Sequence, residues 1–206
     1  MTGRLTILVA VGMTLTGCGD RGASPPAAAP TKTPPTAAPT NATTDGQKAE
    51  DKKQQASAPD IDLGTAAAEG DLDAIRQHIA AGSELNKDTP LVTAIVFGNM
   101  EAAELLIEAG ADLNAQDAQG STPVFVAAFF CRAALLKLLL EKGADQSIAN
   151  QEGRTAVEVV QAPFAAVKPV YEYIELQLGS LGLKLDYERL EKERPAMAEI
   201  LKAAGE

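Results

Sequence analysis

The stretch Thr89-Pro90-Leu91 comes back as Thr122-Pro123-Val124 and again as Thr155-Ala156-Val157, each step being 33 residues. Gly110-Ala111-Asp112 recurs as Gly143-Ala144-Asp145 at the same interval, and Gly120 with Gly153 makes a third pair. Unrelated local signals that share one period mark a stacked repeat. Each copy reads as two helices. Thr can cap a helix start, and Pro is tolerated in the first turn, where its missing N–H costs nothing. Small residues follow, Ala94 in one copy and Ala127-Ala128 in the next, so a short helix can approach its neighbours closely. After a break at Gly98, a second helix carries Leu105, Leu106 and Ile107, matched one repeat on by Leu135, Leu136, Leu138, Leu139 and Leu140. Gly110 and Gly143 stand where a helix ends and positive φ is wanted. The polar run from Asn114 to Gly120 suits a hairpin tip.

This pattern resembles the ankyrin repeat, marked by Thr-Pro-Leu-His, small residues and a Gly-Ala-Asp-type end. The resemblance is strong over 88–116 and 117–149. Glu69-Gly70-Asp71 aligns with Phe97-Gly98-Asn99, which places a degenerate first repeat at 61–87 with Leu72, Ile75 and Ile79 facing inward. From Gly82 to Gly110 is 28 residues, so the connecting finger there is five residues short. A fourth repeat, 150–206, opens at Asn150-Gln151-Glu152-Gly153-Arg154-Thr155 and then departs. Its closing helix is expected from Pro195 to Ala204, with an insertion at about 162–192 between its two helices. The family His is replaced by Val92, Phe125 and Glu158, and Cys131 stands where Gly98 stands one repeat earlier. The resemblance implies an all-α solenoid of about four helix-turn-helix repeats with short β-hairpin fingers. Such stacks present a long binding face in place of a pocket.

The N-terminus carries a second set of signals. Arg4 precedes an apolar run from Leu5 to Leu15, eleven residues, too short to span a bilayer but the size of a signal-peptide core. It ends in Leu15-Thr16-Gly17-Cys18, which looks like a bacterial lipobox. That resemblance implies a signal peptide over 1–17, a diacylglyceryl group on Cys18 and N-acylation there. Two or three acyl chains anchor stably, at about 0.8 kcal/mol per buried CH₂. Residues 18–60 are dominated by Pro, Ala and Thr, with the charged run Glu50-Asp51-Lys52-Lys53, and hold too few large apolar residues for a core. They read as a tether that spans roughly 35 Å on average. The expected location is a membrane-anchored lipoprotein facing the periplasm. Gly19 and Asp20 after the Cys do not impose inner-membrane retention, so the outer membrane is favoured.

The repeat domain is expected over 61–206. The whole chain carries a formal net charge of −10. Loss of Arg4 with the signal would make it −11. An acidic chain is a poor match to nucleic acid, which rewards Lys and Arg. With Cys18 lipidated, Cys131 is the only remaining thiol, so no intramolecular disulfide is possible, and Cys131 reads as a small buried apolar residue. His78 is the only histidine and has no second His or Cys beside it. No metal site and no cofactor are therefore expected. There is no Gly-rich phosphate loop, no Gly-x-Ser-x-Gly elbow and no Cys-x-x-Cys pair. Glu172, Glu175, Glu188, Glu191 and Glu193 are spaced as solvated helix faces. The chain is not expected to be an enzyme, and a hydrolase using carboxylates near the insertion is a remote alternative.

The resemblance points to protein binding instead. Late positions of each first helix, with the finger tips, usually meet the partner in such stacks. Here these are Ala68 and Glu69, Val96 and Phe97, Phe129 and Phe130, then Ala162 and Pro163. Val96, Phe97, Phe129 and Phe130 would form one apolar strip, flanked by the finger residues Gln119, Ser121, Glu152 and Arg154. Exposed apolar patches of this kind mark interfaces. A competing expectation comes from the insertion. Its Val170, Tyr171, Tyr173, Ile174, Leu176 and Leu178 have helical spacing and could fold back over the strip. The expected partner is a protein of the cell envelope, bound by an inhibitor or immunity protein of an effector, or by a structural or stress-related adaptor.

Overall fold

The computed structural model describes residues 59–205. The run Leu5 to Leu15, Cys18 and the tether up to residue 58 lie outside the described residues. Three helix pairs follow in chain order: α1 (Leu63–Glu69) with α2 (Leu72–Ala80), α3 (Pro90–Phe97) with α4 (Met100–Glu108), and α5 (Pro123–Phe129) with α6 (Ala133–Glu141). Then come α7 (Ala156–Gln161), α8 (Phe164–Leu178), a 3-10 turn (Gly179–Leu181) and α9 (Tyr187–Ala204). The first helices form one layer, α1 on α3, α3 on α5 and α5 on α7. In the other layer α2 lies on α4, and α9 lies on α6 and α7. α9 therefore takes the place of the second helix of the last pair. α3 and α5 are buried along almost their whole length, as their all-round apolar sequences Pro90-Leu91-Val92-Thr93-Ala94-Ile95-Val96 and Pro123 to Phe129 require.

Of the three Thr residues that open the repeats, two cap their helices and one does not. Thr122 accepts from the Phe125 N–H at 3.3 Å. Thr155 makes a full capping box with Glu158, whose carboxylate accepts from the Thr155 N–H at 2.7 Å. Those hydrogen bonds, first the Thr155 N–H, hold Glu158 below the usual carboxylate range. Thr89 does not cap. It sits at φ 49°, beside Asp88 at φ 56°, and its side chain makes no cap bond. The short finger explains this: with five residues fewer, the chain must reverse through two consecutive left-handed residues to enter α3.

The fingers are turns and not β-hairpins, because the described residues contain no strand. In the third repeat the Asp117 N–H donates to the Ser121 carbonyl at 3.0 Å; in the fourth the Asn150 N–H donates to Arg154 at 2.9 Å. Asp117 and Asn150 are 33 residues apart and use one side-chain oxygen alike, accepting from the N–H groups two and four residues on. One backbone bond joins the two fingers, from the Gln151 N–H to the Gln119 carbonyl at 3.0 Å. A single rung is too little for a ladder. It does explain Gly120: at φ 75°, a Cβ there would lie 2.9 Å from the Gln151 nitrogen.

The closing helix also differs from expectation. α9 begins at Tyr187, not at Pro195, and Pro195 lies inside it. Asp186 supplies the start by accepting from the Arg189 N–H at 3.0 Å. An internal Pro costs about 3 kcal/mol in an isolated helix. Here Pro195 and Glu191, four residues earlier, are both exposed, so water reaches the freed carbonyl.

Candidate functional site

Each first helix ends in carbonyl groups that no helical N–H reaches, and the next stretch of chain supplies their partners. Asn99 donates through Nδ2 to the carbonyls of Ala67 and Ala68, both at 2.8 Å, at the end of α1. Arg132, 33 residues later, donates to the Val96 carbonyl at 3.1 Å, at the end of α3. The next residue in that series would be Ala165, which has nothing to donate. The insertion and the last helix take over. The Tyr171 hydroxyl donates to the Phe129 carbonyl at the end of α5. Arg194 donates to the carbonyls of Val159 and, at 3.1 Å, Ala162 at the end of α7, and to the Tyr171 oxygen at 3.1 Å. Arg194 is only 3% exposed. Helix C-terminal carbonyls carry partial negative charge and suit a cation. Burial pushes the Tyr171 hydroxyl's pKa well up, against the lowering effect of Arg194.

This ladder corrects the expected apolar strip. Val96, Phe129 and Phe130 are fully buried, not displayed. Tyr171 stacks on Phe129 with ring centroids 4.3 Å apart, and meets Phe130 edge-on at 6.1 Å. For Phe129 and Phe130 the physical reason lies in α8, which buries Val167, Val170, Tyr171, Ile174 and Leu178 along one stripe. Of the four residues, Phe97 alone stays half-buried. On the outer side of the insertion Tyr173, Leu176 and Leu181 are exposed, Leu176 at 80%.

The finger residues divide similarly. Ser121 is buried, Gln119 and Arg154 are half-buried, and Glu152 is exposed and ion-paired with Arg154. Exposed positions alongside them are Gln116, Ala118 and Gln151. Finger residues thus remain reachable where the strip does not. Cys18 lies outside the described residues.

The other chemical candidates are structural. His78 is buried, with Nε2 2.8 Å from the Ile61 carbonyl and Nδ1 3.0 Å from the Ser83 hydroxyl. A carbonyl only accepts, so Nε2 carries the proton and Nδ1 accepts from Ser83. Cys131 is buried at φ 53°, the conformation Gly98 adopts one repeat earlier at φ 77°. Burial pushes its thiol up to about 11, which leaves it unreactive at neutral pH. Glu175 accepts from the Tyr187 hydroxyl and from the Leu185 N–H at 3.0 Å, so it clasps the loop between α8 and α9. Its hydrogen bond from Tyr187 holds it below the usual carboxylate range, and Tyr187, chiefly through burial, is pushed up to about 12. No group of three metal-ligating side chains occurs among the described residues.

Sequence reasoning did not find the capping ladder. The Asn99 and Arg132 pair was readable, since it obeys the 33-residue step. Tyr171 and Arg194 obey no period and carried no local signal.

Residues 63–150 match the family model for ankyrin repeats in 3 copies. Ankyrin repeats are therefore present, and the fold is an all-α ankyrin solenoid. The matched span ends before α7, so the closing helices lie beyond it. Among solved structures, the ankyrin repeat domain of Bcl-3, described as a unique member of the IkappaB protein family, is similar at 24% identity with a TM-score of 0.46. That similarity covers 47% of this chain and 45% of that one, so this chain spans less than half of its length. No curated protein matches.

Proposed function

We propose that this ankyrin-repeat chain is a membrane-tethered module that binds a protein partner in the periplasm, and that it acts as the inhibitor of an effector. The stacked repeats carry the reading, because they give a continuous surface of helix pairs and fingers. The lipobox-like Leu15-Thr16-Gly17-Cys18 and the Pro/Ala/Thr-rich residues behind it support the tether. Phe129 and Phe130 are covered by Tyr171 of α8, so the contact falls on the fingers, at Gln119, Gln151, Glu152 and Arg154, with Phe97 at the margin.

The test is a crosslinked pull-down from envelope fractions followed by mass spectrometry, with Glu152→Lys combined with Arg154→Glu as the comparison. One envelope protein should be recovered with the parent chain and lost with the double variant, at an unchanged melting temperature. Equal recovery with both would remove the fingers from the interface. In the same cells Cys18→Ala should abolish incorporation of labelled palmitate and move the protein to the soluble fraction; continued labelling would refute the anchor.

A further inference from the structure

The helix-turn edge, at the opposite end of the helix pairs from the fingers, holds a groove that the fold leaves open. It lies between the first turns of α4 and α6 and the side of α9, with a volume of about 460 Å³. Met100, Leu135 and Met197 make its apolar walls, and Arg132, Arg189 and Glu193 its charged ones. Arg132 is held in place. Its Nη2 is spent on the Val96 carbonyl, and its guanidinium lies so close over Gly98 that a Cβ there would come within 2.5 Å. Its Nε is shielded from solvent and has no partner. Burial first, then the charge of Arg189, weakens its hold on its proton. Two cations thus share the groove against one carboxylate, Glu193, which lies 3.6 Å from Arg189.

The first turn of α6 adds to this. In α2 the start residue Asp71 accepts from the N–H groups of Asp73 and Ala74. At the same place in α6 stands Arg132, which can only donate, so α6 has no side-chain cap. Ala133, Ala134 and Leu135, the first-turn residues, line the groove. Uncapped N–H groups, the positive end of the helix dipole and the Arg132 guanidinium favour an anion, and Arg189 beside them is shared with Glu193. On a chain of net charge −10, such a place stands apart from its surroundings.

We propose that this groove takes an acidic segment of a protein partner. One carboxylate would sit between Arg132 and Arg189, and a neighbouring apolar side chain would rest on Met100, Leu135 and Met197. The proposal rests on the reading of the protein as a binding module and gives that module a second contact, remote from the fingers.

The test titrates the full isotope-labelled chain with two synthetic peptides, acetyl-Leu-Asp-Leu-Glu-Leu-amide and its Asn/Gln counterpart, following backbone amide resonances. The acidic peptide should shift Ala133, Ala134 and Leu135, and the uncharged one should bind at least about fivefold more weakly. Arg189→Gln should weaken the acidic peptide by about fivefold. Its guanidinium caps no helix, so folding is not at stake, and a thermal melt checks this. Arg132→Gln should weaken it further, and Lys142→Gln, at the far end of α6, should change nothing. Equal binding of both peptides, no shift with either at millimolar concentration, or indifference to Arg189→Gln overturns the groove. Shifts confined to the fingers also overturn it, while leaving the binding-module reading intact; loss of the captured partner in the finger variants alone has the same meaning.

Discussion

The regular repeats and the closing end solve one problem in two ways. In the repeats, a first helix is capped by the residue that stands at a fixed place in the next pair, Asn99 for α1 and Arg132 for α3. At the closing end there is no next pair, and α5 and α7 are capped by Tyr171 and Arg194, which reach back from the insertion and the last helix. The repeat solution is modular: each cap can be changed with little effect beyond its neighbours. The closing solution is concentrated, since Arg194 joins α7, α8 and α9 through three acceptors at once. A stack needs a terminal unit that covers its last exposed face, and here one buried network does so.

The largest effect should therefore follow from Arg194→Met. The variant keeps the buried volume and removes an unneutralised buried charge, which by itself is favourable. It also leaves two helix-end carbonyls without a donor, each costing about 1–3 kcal/mol when dry, while the Tyr171 hydroxyl keeps its bond to the Phe129 carbonyl. The carbonyls outweigh the charge, and a loss of about 2–3 kcal/mol is expected by urea unfolding. Asn99→Ala, the modular counterpart, should lose only about 1 kcal/mol. If Arg194→Met is as stable as the parent, the closing network is not what holds α9 on the stack.

Legibility divides along the same line. The repeats could be read because their signals are local and recur: Thr-Pro at the starts of α3 and α5, Gly-Ala-Asp at the ends of α4 and α6, Gly120 and Gly153 in the fingers. The closing end could not be read, because Tyr171 meets Phe129 across 42 residues and Arg194 meets Val159 across 35, with no period to announce either. Pro195 was misleading for a physical reason. A Pro suits the first turn of a helix, but Asp186 caps earlier and solvent access makes the internal Pro tolerable. The apolar strip expected on display at Phe129 and Phe130 is buried. Its covering by α8 was one of two open readings, and the exposed flank of α8, with Tyr173 and Leu176, became the outer surface instead.

A smaller effect tests the one irregular joint inside the repeats. Thr89 and Thr122 precede the same Pro, yet Thr122 caps in an extended conformation and Thr89 is forced to φ 49°. A β-branched residue held there costs about 1–2 kcal/mol. Thr89→Asn, which tolerates that conformation, should gain about 0.5–1 kcal/mol in thermal or urea unfolding. Thr122→Ala should lose about 1 kcal/mol. Equal losses at both positions would mean that Thr89 contributes a cap after all, and that the short finger imposes no strain.

The smallest effect compares the finger of the third repeat with that of the fourth. Asp117 and Asn150 hold their turns through the same oxygen, but Asp117 does so with a charge. Burial raises its carboxyl above the ordinary value, against the backbone N–H groups of Ser121 and Gln119 that favour the anion. The folded chain then binds this proton more tightly than the unfolded chain. The resulting stability is fully present below the ordinary carboxylate pKa of about 4 and is lost as pH rises through the raised value. Asp117→Asn should leave the turn intact, as Asn150 shows, and remove that loss. Urea unfolding from pH 4 to pH 7 should show the variant gaining on the parent as pH rises. A variant that falls behind at pH 7 would show that the charge itself, attracted to the turn's N–H groups, is what closes the third finger.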